Sequence, residues 1–180
     1  MLLKEIQKFK KRNFTFEIKQ ICSKDISSNY IKALNTNQFV RYNARDKITK
    51  RFQIDYINKH NKSSNEIIIG LFNNKKLVGT CGAQKKSKKK FYIGIFIFDK
   101  KFIGLKLSKI LISFLSHYLK KRKSVSYIYA SVNRKNLISH NLFNSLGFKK
   151  NFREKKKYKS DVVYFIKNKN LIKFTNLISN

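Results

Sequence analysis

The chain has no proline, no tryptophan, two cysteines and nine acidic residues set against 42 basic ones. Each shortage excludes something. Cys22 and Cys81 lie far apart and without metal-ligand spacing, so no metal site is expected, and a reducing cytoplasm is the expected location. No apolar run approaches the roughly 20 residues that a helix needs to cross a bilayer. The chain also starts without the apolar core of a signal peptide. An integral membrane protein is therefore not expected, although a basic surface could rest against anionic lipid. The scarcity of carboxylates leaves few candidates for a general base. The absence of proline and tryptophan beside abundant Lys, Asn, Ile and Phe is the bias that an AT-rich genome imposes whatever the function.

What the chain has in excess is positive charge. The balance of 42 − 9 gives +33, which favours nucleic acid, anionic lipid or acidic substrates. The basic residues are spread along the chain, with runs at Lys85 to Lys90, Lys120 to Lys123 and Lys155 to Lys157, and none resembles a recognition motif. Compositional drift explains them without a dedicated nucleic-acid face. At 180 residues and 42% hydrophobic content, one domain with a sizeable core is expected. That domain spans 1–180, with a core at about 14–166, a tail at 167–180 and no internal repeat.

Asn13 to Ile21 reads as the first strand, starting near Phe14. Asp25 or Ser27 caps a helix through about Leu34, and Thr49 caps another that carries Phe52, Tyr56 and Ile57 on one side. Between them, Asn35 to Ile48 is a polar connector bearing arginines. Glu66 to Phe72 and Leu77 to Ala83 are apolar runs separated by Asn73-Asn74-Lys75-Lys76, a hairpin signal. Gln84 to Lys90 reads as a solvated loop. Further along, Ser126 to Val132 is a strand, Asn136 to Leu146 a helix stopped by Gly147, and Phe148 to Phe152 and Val162 to Ile166 are closing strands.

Phe91 to Phe148 carries the functional signal. The strand FYIGIFIF, Phe91 to Phe98, is too apolar for one wet face and is expected at the centre of a sheet. Asp99 to Gly104 then leads into a helix whose inward stripe reads Ile103, Leu107, Ile110, Leu111, Phe114, Leu115 and Tyr118. A loop that opens a helix presents free backbone N–H groups and the positive end of the helix dipole to an anion such as a pyrophosphate.

These residues resemble the GNAT superfamily of acetyl-CoA-dependent N-acetyltransferases over roughly Phe14 to Phe165. Within it the chain looks most like the branch of ribosomal-protein N-terminal and amino-sugar acetyltransferases. The likeness rests on Leu34-Asn35 through Val40, Tyr42, Arg45 and Thr49, on Ile93-Gly94-Ile95 with Asp99 to Ser108, and on Asn133 to Phe148. In the last piece Asn136, Ser139, Phe143, Gly147 and Phe148 match the family pattern. The resemblance implies an α/β fold of GNAT type, with a central, mixed, mostly antiparallel sheet of six or seven strands flanked by helices.

It also implies a site. The family's cofactor loop reads basic or polar residue, two variable residues, glycine, a variable residue, then glycine or alanine. Here Gly104 takes an early loop glycine, while Lys106 and Ser108 stand where small residues are usual. Cofactor contacts are implied for Ile103, Gly104, Leu105, Lys106, Leu107 and Ser108, mostly through backbone N–H groups. Gly94 implies a bulge that splays its strand from the next, so that the backbone of Ile95, Phe96 and Ile97 pairs with the pantetheine arm. Asn136 and Ser139, three apart on one helix face, are implied to reach the arm, although Asn136 also suits a plain N-cap. Arg41, Tyr42 and Arg45 fall in the connector that lines the acceptor pocket in relatives; a solvated basic loop is the other reading.

No catalytic side chain emerges. Where many relatives carry a tyrosine that protonates the leaving thiolate, this chain has Phe143. Asp99 either caps the turn after the central strand or approaches the loop, Glu66 heads a strand, and His60, His117 and His140 have no partner at a recognisable spacing. The expected activity is transfer of acetyl from acetyl-CoA to a primary amine on a small molecule or peptide. A nucleotide-linked amino sugar and a protein N-terminus are both open acceptors. No metal is expected, nucleic acid is not required, and the protein is expected to be a monomer or homodimer. A degenerate acyl-CoA-binding domain and a basic nucleic-acid binder are the alternatives.

Overall fold

Eight strands form one sheet in the order β1-β2-β3-β4-β5-β6-β8-β7 in a computed structural model that describes residues 6–36, 47–153, 160–171 and 174–178. The strands are β1 (Gln7–Lys11), β2 (Phe14–Gln20), β3 (Glu66–Asn73), β4 (Lys76–Ser87), β5 (Lys90–Ile97), β6 (Tyr127–Asn133), β7 (Lys149–Lys150) and β8 (Asp161–Lys167). The helices are α1 (Ser28–Thr36), α2 (Lys50–Lys62), α3 (Leu107–Lys123), α4 (Leu137–Ser145) and the short α5 (Phe174–Ile178). The pairs β1–β2, β2–β3, β6–β8 and β7–β8 are antiparallel, and β5–β6 is parallel. This is the mixed α/β sheet that the sequence implied, with eight strands where six or seven were expected. One addition is β1, which precedes the expected first strand and pairs with β2 through a turn at Arg12 (φ 52°).

The chain divides into two compact units, Met1–Gly82 with Phe96–Leu105, and Ala83–Ile95 with Lys106–Asn180. In the first, the cap residues act as their types dictate. Ser27 Oγ accepts from the Tyr30 N–H at 3.2 Å to open α1, and Thr49 Oγ1 accepts from the Phe52 N–H at 3.1 Å to open α2. Asp25 closes the preceding turn by accepting from the Cys22 N–H at 2.9 Å. Tyr30, Leu34 and Ile57 pack on Ile68, Phe72 and Leu77, with Phe96 and Phe98 against them. Of the expected α2 face only Ile57 is buried: Phe52 is 60% and Tyr56 40% exposed, and Gln53 turns inward to donate to the Tyr30 hydroxyl. The buried Tyr30 hydroxyl is thereby satisfied, as buried polar groups are. The β3–β4 hairpin turns at Asn74 and Lys75, both left-handed at φ 47° and 64°, as a two-residue hairpin requires.

In the second unit, Gln84 to Ser87 is strand and not the expected loop. It continues β4 to a two-residue Lys88-Lys89 turn, and its side chains are exposed. Backbone pairing there tolerates lysines because their charged heads stay in water. α3 is buried on nearly every side from Ile110 to Ser116. Its inward stripe begins at Leu107, not at Ile103, which lies outside the helix and is 71% exposed. α4 ends in a Schellman motif, with Gly147 at φ 81° donating to the Asn144 carbonyl and Phe148 donating to the Phe143 carbonyl. The Phe143 and Phe148 rings meet edge to face at 5.0 Å, the apolar contact that accompanies this cap. Among the described residues no helix is long and apolar enough to cross a membrane.

Candidate functional site

Within the first unit, β5 ends at Phe96 and Ile97, both half-buried, and Asp99 closes the strand. Asp99 Oδ1 accepts from the Lys101 N–H at 3.0 Å, capping a 3₁₀ turn over Lys100–Phe102. Its carboxylate is thus a cap. Phe102 anchors the turn, with its ring edge-on to Phe14 and Phe16 at 5.2 Å each. Gly104 follows at φ 88° with open space around it, a conformation that side chains rarely adopt. Leu105 is buried and its N–H reaches the Phe102 carbonyl at 3.4 Å.

Within the second unit, α3 opens at Lys106. This residue takes the left-handed conformation (φ 58°, ψ 20°) and makes no side-chain cap. Its carbonyl accepts from Lys109 and Ile110 at 3.0 and 3.3 Å. The N–H groups of Leu107 and Ser108 have no backbone acceptor among the described residues. Those orphan donors sit at the positive end of a 17-residue helix, an arrangement that suits an anion.

The parallel ladder between β5 and β6 runs over Lys90↔Tyr127, Phe91↔Ile128 and Tyr92↔Tyr129. Among the described residues it goes no further, whereas β6 stays paired with β8 as far as Asn133. The pairing therefore lapses just before Gly94, which is exposed, with nothing within 4 Å of where a Cβ would stand. Ile95 beyond it is half-buried. A strand inside a sheet with an unladdered edge can hydrogen-bond an extended ligand arm.

Asn136 is the N-cap of α4, its Oδ1 accepting from the Ser139 N–H at 3.0 Å, so the cap reading holds. The cap leaves the Asn136 amide nitrogen without a hydrogen bond among the described residues. Asn136 and Ser139 are both half-buried and stand together as their spacing implied. Arg41, Tyr42 and Arg45 lie outside the described residues.

The sequence offered no signal for His140. Its Nε2 donates to the Asn133 carbonyl at 3.1 Å, and its Nδ1 shares a hydrogen bond with the Tyr164 hydroxyl at 2.8 Å. Burial pushes the Tyr164 hydroxyl up, and its ring stacks on Phe143 at 6.0 Å. The pair comes from α4 and β8, 24 residues apart, beyond any local motif. His60 bridges to Glu66 at 3.1 Å. Neither cysteine is poised as a nucleophile: burial pushes both thiols up, far up for the fully buried Cys81. Among the described residues no three His, Cys, Asp or Glu side chains gather as metal ligands.

Residues 18–165 match the family described as Acetyltransferase (GNAT) domain. The chain belongs to that family. It is an acetyl-CoA-dependent N-acetyltransferase. Solved structures share its fold. A domain from Methanocaldococcus jannaschii superposes with a TM-score of 0.69 at 19% identity, covering 86% of this chain and 99% of its own. PaiA N-acetyltransferase from Thermoplasma acidophilum, in complex with coenzyme A, gives 0.69 at 16% identity, covering 84% and 98%. RimL, a ribosomal alpha-N-protein acetyltransferase in complex with coenzyme A, gives 0.69 at 12%, covering 89% and 98%. No curated protein matches in sequence. In a GNAT enzyme the N–H groups of Leu107 and Ser108 fit the anionic end of the cofactor, because they are helix-end donors with no backbone acceptor among the described residues.

Proposed function

We propose that this GNAT enzyme works as one domain and acetylates a primary amine carried on an anionic acceptor, best matched by the N-terminus of an acidic peptide. The observation that carries the transfer site is the lapse of the β5–β6 ladder after Tyr92. The net charge of +33 supports an anionic acceptor, and the likeness to RimL supports a protein N-terminus. Bound acetyl-CoA supplies an activated acetyl group as a thioester. The N–H groups of Leu107 and Ser108 hold its anionic end, with Lys106 adding charge and Ile103, Gly104 and Leu105 forming the turn that precedes them. In the second unit the backbone of Ile95 lines the arm, with the Asn136 amide as donor and Ser139 beside it. Arg41, Tyr42 and Arg45 are the candidates for binding the acceptor. Positioning supplies most of the rate, since orienting two reactants removes several kcal/mol of barrier, on the order of 7 or more in favourable cases.

Calorimetric titration with acetyl-CoA at moderate salt tests this, with desulfo-CoA and ATP as controls. Saturable binding selective for the CoA compounds is expected, followed by thiol release with peptides of acidic N-terminal sequence. Weak binding that ATP matches and salt erases would remove the reading. Thiol release with nucleoside-diphosphate amino sugars and not with peptides would keep the enzyme and change the acceptor.

A further inference from the structure

Nine carboxylates occur in the chain, of which Glu5, Asp46 and Glu154 lie outside the described residues. Most of the others are already employed. Glu17 pairs with Lys8, Glu66 with His60, Asp25 and Asp99 cap turns, and Asp55 is exposed. Asp161 differs. It is 7% exposed and, among the described residues, has no cation beside it and one side-chain hydrogen bond, from the Ser131 hydroxyl to its Oδ2 at 2.6 Å. A buried carboxylate is stabilised by several donors or a cation, and here the described partner is a single neutral hydroxyl. A strand pin alone could be made from two neutral side chains at lower cost.

Its place in the second unit gives that carboxylate a use. Side chains alternate along a strand, so Tyr127, Tyr129 and Ser131 share one face of β6. On the flanking strands, Tyr92 stacks on Tyr129 at 5.4 Å and Phe165 at 6.0 Å, which marks the same face of β5 and β8. Asp161 opposes Asn133 in the β6–β8 register and so lies on that face beside Ser131. Two residues beyond the last β5–β6 pair, Tyr92↔Tyr129, the chain reaches Gly94 on one strand and Ser131 on the other. The half-exposed Ser131 hydroxyl therefore stands at the mouth of the gap in the ladder, with the buried carboxylate behind it.

We propose that Ser131 and Asp161 form the proton-accepting pair for the attacking amine, a proposal that rests on the acetyltransferase reading above. As the amine nitrogen bonds to the acetyl carbon and the carbon–sulfur bond breaks, the nitrogen loses a proton to Ser131 Oγ. The hydroxyl's own proton passes to Asp161 Oδ2, and the carboxylic acid so formed releases it to water or to the departing thiolate. The sum is amine plus thioester giving amide plus thiol. Ser131 touches the amine, and Asp161 is a positioning residue that acts through it.

The first readout needs no turnover. The Asp161 carboxyl ¹³C resonance, identified by its loss in Asp161→Asn, is followed while the protein is saturated with the unreactive ketone analogue of acetyl-CoA and, separately, with desulfo-CoA. It is expected to move with the analogue, which carries the acetyl group, and to stay with desulfo-CoA, which does not. A resonance that ignores a bound analogue overturns the pair. An analogue that does not bind removes the acetyltransferase reading itself, and the pair with it. In turnover, Asp161→Asn and Ser131→Ala are expected to lower kcat by about 10²-fold, the usual worth of a positioned base, with cofactor affinity and melting temperature little changed. Ser131→Thr and Asp161→Glu are expected to recover part of the rate. Full activity in Asp161→Asn would refute the relay.

Discussion

Lys106 occupies a backbone conformation that glycine adopts freely and lysine does not, and replacing it separates stability from binding. The left-handed region costs a residue with a Cβ about 1–2 kcal/mol, and Lys106 bears that cost at φ 58°. Lys106→Gly removes it, while the freer unfolded chain returns about 0.5–1 kcal/mol of the gain. Lys106→Ala keeps the Cβ and the strain. The glycine variant should therefore exceed the alanine variant by about 1 kcal/mol, or about 2–4 °C in melting temperature for a chain of this size. Lys106 is exposed and adjoins the proposed anion site in sequence. Such a charge contributes less than about 1 kcal/mol, so both variants should bind acetyl-CoA at most about five-fold more weakly. Thermal unfolding and calorimetry on the three proteins check both halves. An alanine variant as stable as the glycine variant would refute the left-handed assignment. A hundred-fold loss of affinity in both would show that the lysine, not the helix N-terminus, holds the anion.

Asn136 combines a cap with a proposed donor. Asn136→Ala should cost about 1 kcal/mol of stability in chemical denaturation. Asn136→Asp should keep the cap but weaken acetyl-CoA binding, and unchanged binding would leave the residue a cap alone. Gly104→Glu places a negative charge at φ 88° in open space; it should abolish acetyl-CoA binding in calorimetry, and unchanged affinity would displace the loop from the site. Burial pushes the Tyr30 hydroxyl from its ordinary 10.0 up to about 12. The folded chain holds that proton more tightly than the unfolded one, so the stabilisation is full below pH 10 and drains as pH rises through about 12. Tyr30→Phe should flatten the fall in denaturation midpoint over that range, by about 3 kcal/mol at its upper end. Parallel wild-type and variant curves would refute it.

The family, the central apolar strand, the loop that opens α3 and the caps at Ser27, Thr49, Asn136 and Gly147 were legible in the sequence. Each depends on residues within a turn or two of one another. A cap satisfies its own helix end, a two-residue hairpin demands left-handed residues at Asn74 and Lys75, and an apolar run of strand length belongs in a sheet. Local patterning failed where backbone pairing or a neighbour distant in sequence decided the outcome. Gln84 to Ser87 looked like loop and became strand, because backbone pairing places no demand on side chains that stay in water. Phe52 and Tyr56 share one side of α2 with Ile57 yet stay exposed, while Gln53 is buried and donates to the Tyr30 hydroxyl. His140 met Tyr164, and Ser131 met Asp161, across 24 and 30 residues of chain. By itself the sequence determined the family and where the loop that opens α3 lies. Only the sheet register decided which carboxylate is buried beside the broken ladder, because register alone selects the residues that share a face.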